Sequence, residues 1–369
     1  MTSKIAPFMS VRQLKVLVIF FIVGDIAWFL PSLAASTVQQ DAWIATIIGS
    51  AAGWGLAAFI FWFGMRFPGK TLVDIHREVA GKWIGGLLSL FFIVHMLSAA
   101  SAEVRAIGQF VTTQIMMETP MRVILFIFSA TVVIALFAGL EAISLTAQVF
   151  FLLFVALSVL LLALLTGELE FSNLLPVLNH SPSEFARSAL MLSVFPYGEM
   201  TAFLMIFPAV KKEDRMFKHY LHAVMWGGLM IILLVTLSLL SLGAYLTEQQ
   251  LYPTYTMAKK ISIGDFLQRL EFILVISYVM STFFKCAILI YAAKQAIIQL
   301  FKLRYGRAFI MPVGFLMFGF SYIMAPDIVF LNSLAPPWSL WSLTNLIVIV
   351  GLVYLLHLFK SRQKKAGAT

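Results

Sequence analysis

Apolar runs follow one another along nearly the whole of this chain. A bilayer core offers no water to backbone N–H and C=O groups, so runs of this kind have few folds open to them. Runs of about 18 residues or more read as membrane-spanning helices. With 61% hydrophobic and 12% charged residues, the chain lies far from a soluble domain, where about 25% are charged. Ten spans are expected, at residues 12–38, 42–67, 83–113, 121–138, 142–166, 186–209, 216–246, 266–303, 308–325 and 337–359. They make one all-α integral membrane domain over residues 1–369, with no room for a soluble domain. The first run is too long for a signal-peptide core of about 7–15 apolar residues and carries Asp25 at its middle, so it stays as helix one.

The net charge of +9 would suit nucleic acid, but its placement argues for membrane topology and for the lipid bilayer as partner, with no nucleic acid. With the N-terminus inside, 18 of the 26 basic residues fall in inner segments, among them Lys70, Arg77, Lys211, Lys212, Lys302 and Arg304. Both termini are therefore expected in the cytoplasm and residues 247–265 outside. That outer stretch, with Tyr252, Pro253 and Tyr255, reads equally as a lid or as an interfacial aromatic belt. One cysteine, Cys286, excludes an internal disulfide and reads as core packing.

Residues 64–71, Gly-Met-Arg-Phe-Pro-Gly-Lys-Thr, match the phosphate-binding pattern GxxxxGK[ST] letter for letter. They follow a membrane helix rather than a strand and carry Pro68, so they read as a basic inner turn. No compact His/Asp/Glu ligand set and no nucleophile–base pairing stands out, so neither a metal, a cofactor nor an enzymatic activity is expected.

Two interruptions organise the rest. Pro196 lacks an N–H and Gly198 frees the backbone, so Phe195-Pro-Tyr-Gly-Glu199 is expected to be unwound chain between two half-helices, the second starting near Glu199 with its positive dipole end inward. Gly24-Asp25 lies about as far into helix one, with Asp25 placed to cap a second half-helix. Interrupted helices one and six in ten spans imply two five-helix repeats of opposite orientation, about 11–166 and 185–360. The Gly49–Gly53 spacing in helix two permits close helix packing. Helices four and five read mainly as scaffold.

The candidate pocket gathers Gly24 and Asp25 from helix one, Phe195, Tyr197, Gly198 and Glu199 from helix six, Ala99 and Glu103 from helix three, and Thr282 from helix eight. At about 100° per residue His95, Ala99 and Glu103 share a face, whereas Arg105 lies roughly 200° from Glu103. Lys285 and His95 are candidates for a charge relay or an ion-site substitute, with Asp25 or Glu103 as partner to the Lys285 ammonium. Each also has a purely structural reading, as a cap, a core residue or a structural ion pair.

The run Phe195-Pro-Tyr-Gly-Glu-Met-Thr-Ala-Phe-Leu-Met-Ile-Phe-Pro-Ala-Val210, preceded by Asn173-Leu-Leu-Pro-Val177 and followed by a basic inner loop, resembles the B subunits of spore germinant receptors. The resemblance covers essentially the whole chain. It implies a ten-helix LeuT-like fold, residence in the inner membrane of a bacterial endospore, and recognition of a small nutrient germinant, an amino acid first among the classes, together with an A subunit and a lipoprotein C subunit. The outline is shared with permeases of the amino acid, polyamine and organocation superfamily, so a proton-coupled amino acid permease is the competing expectation. In either case Lys285 is expected to supply charge where sodium-coupled relatives bind an ion, making the response sodium-independent.

Overall fold

Thirteen α-helices and several 3-10 turns make up the computed structural model, which describes residues 7–24, 29–165, 169–260 and 271–366. Among the described residues there is no extended strand, only one isolated bridge between Met9 and Val210. Among the described residues, seven helical stretches are long and apolar enough to cross a membrane: Leu30–Met65, Leu72–Gln114, Met121–Leu165, Met216–Gln249, Glu271–Phe301, Gly306–Ile323 and Ala335–Gln363. The chain is a multi-pass membrane protein.

Helix α1 (Val11–Val23) starts at a Ser10 cap, whose hydroxyl accepts from the Gln13 amide while the Gln13 side chain accepts from the Ser10 amide. It closes at Gly24, whose N–H still reaches the Phe20 carbonyl. Helix α2 (Leu30–Val38) opens after Phe29, and the expected cap Asp25 lies outside the described residues. Helix α3 (Ala42–Met65) follows a 3-10 turn at Gln39–Asp41. The phosphate-loop look-alike ends α3 rather than following a strand, with Gly69 at φ +76°, where only glycine sits without strain.

Helix α4 (Leu72–Gln114) is longer than the span expected from residue 83, because Thr71 caps an extra segment that turns at Gly81 (φ +82°). Helix α5 (Met121–Leu165) is divided by Gly139 (φ +91°), where sequence reading parted helices four and five. Helices α7 (Met216–Gln249), α8 (Pro253–Lys260), α9 (Glu271–Phe301) and α10 (Ile310–Ile323) follow. The short α11 (Ile328–Ser333), not anticipated from sequence, links α10 to α12 (Ala335–Leu346), and a π-helical segment, Ile347–Leu352, joins α12 to α13 (Val353–Ala366).

Helix α6 (Pro182–Gly198) corrects one expectation. The chain does not unwind at Phe195–Glu199: Gly198 keeps right-handed helical angles (φ −64°, ψ −36°), and from Glu199 to Met205 the backbone tightens into 3-10 helix. Pro196 has no N–H to give the ladder, and the 3-10 segment that follows keeps the backbone helical instead of exposing a run of free backbone groups.

Burial sorts centre from periphery. In the most apolar window of α9, 72% of residues are buried, against 17% for α5, so α9 lies at the centre and α5 at the periphery. Helix α9 packs along α4, α1 along α7, and α3 along α6. The α3–α6 seam depends on two glycines: a Cβ at Gly49 would stand 2.8 Å from Leu192 Cβ and 2.9 Å from the Ala189 carbonyl, and one at Gly53 would stand 2.1 Å from the Tyr197 ring. Gly53→Ala is expected to cost about 1–3 kcal/mol through overpacking and to lower the melting temperature of the detergent-extracted protein. Gly55→Ala, where the added methyl meets open space, serves as control; equal melting of the two variants would refute the seam.

Candidate functional site

At the end of α1, the Gly24 carbonyl accepts a hydrogen bond from Thr282 Oγ1 of α9 (3.1 Å). One turn further along α9, Lys285 is wholly buried, and its Nζ lies 2.9 Å from Glu103 Oε1 of α4 and 2.9 Å from Glu199 Oε2 at the α6 terminus. Both carboxylates are themselves nearly excluded from solvent, at 5% and 2% exposure. Glu199 Oε1 accepts from Trp338 Nε1 of α12 (3.0 Å). The rings of Phe21 and Phe195 flank the ammonium at 5.4 and 5.9 Å, within cation–π reach. Gly24 is needed for close passage, since a Cβ there would press on the Lys285 stem at 3.0–3.1 Å.

Sequence-named residues are thus partly united and partly separated. Gly24, Glu103, Phe195, Glu199, Thr282 and Lys285 converge on one centre. Tyr197 faces away: its ring lies over Gly53, and its hydroxyl would meet a Cβ at Gly228 of α7. Gly198 faces Ser342 of α12. Ala99 is buried in α4, but Ala102 is the alanine that lines the adjoining cavity. His95 packs on Trp338 and Trp341 (ring centroids 6.3 and 5.9 Å), and neither ring nitrogen has a hydrogen-bond partner among the described residues.

A cavity of about 20 Å³ adjoins the ion pairs, walled by Phe29, Glu103, Phe195, Glu199 and Trp338 and by the α10–α12 connection. Trp338 and Phe29 were missed from sequence. The available signal for Trp338 was a tryptophan directly after Pro336-Pro337, whose indole N–H needs a partner when buried. A separate vestibule of about 1300 Å³ is lined by the Gly64–Lys70 turn, the end of the 3-10 segment and the α9–α10 connection. Leu204, Phe207 and Pro208 are on its wall.

The family model for spore germination proteins matches residues 8–329. The chain belongs to the spore germination protein family. Relatives include spore germination protein KB of Bacillus subtilis (strain 168), 26% identical over 83% of this chain and 82% of that protein. Spore germination protein YndE of the same strain is 24% identical, over 82% of each chain. Spore germination protein A2, again of that strain, is 24% identical over 79% of each. Among solved structures, Mhp1, a nucleobase-cation-symport-1 family transporter in a closed conformation with bromovinylhydantoin bound, aligns over 98% of this chain and 96% of its own with a TM-score of 0.55 at 12% identity. That similarity shows a transporter fold for this member of the spore germination family, and the family resemblance carried by residues 195–210 holds.

Proposed function

We propose that this chain is a membrane subunit of a spore germinant receptor that binds a small nutrient germinant, an amino acid, at the Glu103–Lys285–Glu199 centre and passes the bound state to its A and C partner subunits. In this reading residues 1–369 form one polytopic domain in the spore inner membrane with both termini cytoplasmic. Ten helices form a LeuT-like 5+5 inverted repeat, with α1/α2 and α6 plus its 3-10 extension serving as interrupted helices one and six, and Gly139 dividing helices four and five. The carrying observation is that the end of α1, α4, α6, α9 and α12 all send polar groups to one buried point at the helix-one interruption. Lys285 supplies a fixed positive charge there, which supports a sodium-independent response.

A ligand biases the arrangement of these elements only by its differential affinity for two states, about 1.4 kcal/mol per tenfold. The transporter fold keeps a second reading in play, a proton-coupled amino acid permease. Spores lacking only this subunit, tested against a nutrient panel, are expected to show a nutrient-specific germination defect, and the isolated chain in liposomes no saturable uptake of radiolabelled nutrients. Saturable uptake with germination intact would replace the receptor with the permease.

A further inference from the structure

We infer that the group this site reads is a compact cation, a primary ammonium, rather than a carboxylate; the inference rests on the germinant-sensing reading above and narrows its ligand class. Glu103 and Glu199 share the single ammonium of Lys285, so the centre carries more negative than positive side chains among the described residues. A ligand carboxylate brought to Lys285 would find that charge already held by two carboxylates at 2.9 Å and would add a third negative group to a site with little water to screen it.

The adjoining cavity has the matching chemistry. Both carboxylates line it, and so do the rings of Phe29, Phe195 and Trp338. Phe29 and Phe195 meet edge to face at 4.7 Å, forming one aromatic corner. Carboxylates with aromatic faces suit a cation, whose attraction to ring quadrupoles grows as it is desolvated. Glu199 Oε2 lies within ion-pair distance of Lys285 yet out of hydrogen-bond alignment with any donor among the described residues, so it retains acceptor capacity on the cavity wall. The volume, about 20 Å³, is that of one water-sized group, which an ammonium matches. Room for the ligand's remainder requires the apolar side of the same wall, Met324, Leu331 and Leu334 on the α10–α12 connection, to move outward. Arg105 of α4, two residues beyond Glu103, donates to the Tyr322 carbonyl (3.3 Å) just before that connection, so the helix that carries one carboxylate also holds the cavity's cover.

Matched probes test this on the full chain in nanodiscs at constant ionic strength: ethylamine as its hydrochloride, sodium propionate, neutral propionamide, and a pool of the common amino acids. Ethylammonium and the pool are expected to raise the melting temperature saturably, propionate and propionamide to leave it unchanged. Glu199→Gln and Glu103→Gln each leave Lys285 the other of these two carboxylates and are expected to weaken the ethylammonium response at least tenfold, while Glu78→Gln, at an exposed pair with Lys70 outside the cavity, leaves it intact. The inference is overturned if propionate or propionamide stabilises as well as ethylammonium, or if ethylammonium acts equally on both glutamine variants. If the pool stabilises the wild type but ethylammonium does not, nutrient binding stands and the cation inference alone falls. If neither stabilises a cooperatively melting protein, both fall. Should a glutamine variant fail to fold, the probe series on the wild type decides.

Discussion

Lys285→Met is expected to destabilise the protein by about 3–5 kcal/mol, a large part of a typical folding free energy, and to remove most of the monodisperse protein from detergent extracts. Methionine fills the same volume, so packing is not the cause. The loss comes from leaving Glu103 and Glu199 without the ammonium that each contacts at 2.9 Å, in a place where neither can recover hydration. Removing one acid is a different perturbation, because Lys285 then keeps one partner; Glu103→Gln or Glu199→Gln alone is expected to be mild. The triple variant Glu103→Gln/Glu199→Gln/Lys285→Met takes all three charges away together and is expected to regain much of the lost stability, since a buried ion group is often replaceable by neutral residues of similar shape. Size-exclusion profiles and melting temperatures of the set check the order. Wild-type melting by Lys285→Met would mean that the two contacts do not carry the centre.

Membrane class, the end of α1 at Gly24, the place where α6 gives way to 3-10 helix and the polar residues of the centre were legible because each depends on composition or on a breaker residue: the apolar runs, Gly24, Pro196 with Gly198, and an ionisable residue inside a span. Side-chain direction was not. Treating residues 195–199 as unwound chain discards helical phase, and Tyr197 then looks as close to the pocket as Phe195. With the backbone helical through Gly198, Phe195 and Glu199 stand four residues apart on one face, while Tyr197 lies about 200° from Phe195 and meets Gly53 instead. The partner of Lys285 was readable only as a choice between acids, since two acids could neutralise it from different helices, and sequence carries no distance between helices. Trp338 and the α10–α12 connection escaped for the same reason.

Asp41→Ala is expected to release the segment before α6, an effect of several kcal/mol arising far from the charged centre. The Asp41 carboxylate is fully buried at the α2–α3 junction and accepts three hydrogen bonds from one loop: Leu178 N–H (2.8 Å), Asn179 N–H (2.9 Å) and His180 Nδ1 (3.0 Å). Gln40 Nε2 adds a bond to the Pro176 carbonyl (3.0 Å). Leu178 is held at φ +60°, a left-handed conformation that a leucine keeps only under such constraint. Hydrogen bonds to a charged acceptor contribute about 1.5–3 kcal/mol each, and alanine would strand all three donors, though their losses will not simply add. Asp41→Asn keeps the shape and one acceptor oxygen and is expected to fall between alanine and wild type. The consequence reaches the centre through α6, which Ser181 and Glu184 cap immediately after the loop. That helix is 17 residues long, a rod of about 25 Å whose far end presents Glu199 to Lys285. Loosening the clasp therefore removes the anchor that sets the axial position of Glu199. Hydrogen exchange at the Leu178 and Asn179 amides is expected to accelerate strongly in Asp41→Ala, with the first turn of α6 following, and the nutrient concentration for half-maximal germination to rise. Unchanged protection of those two amides in Asp41→Ala would show that the loop is held by something other than this carboxylate.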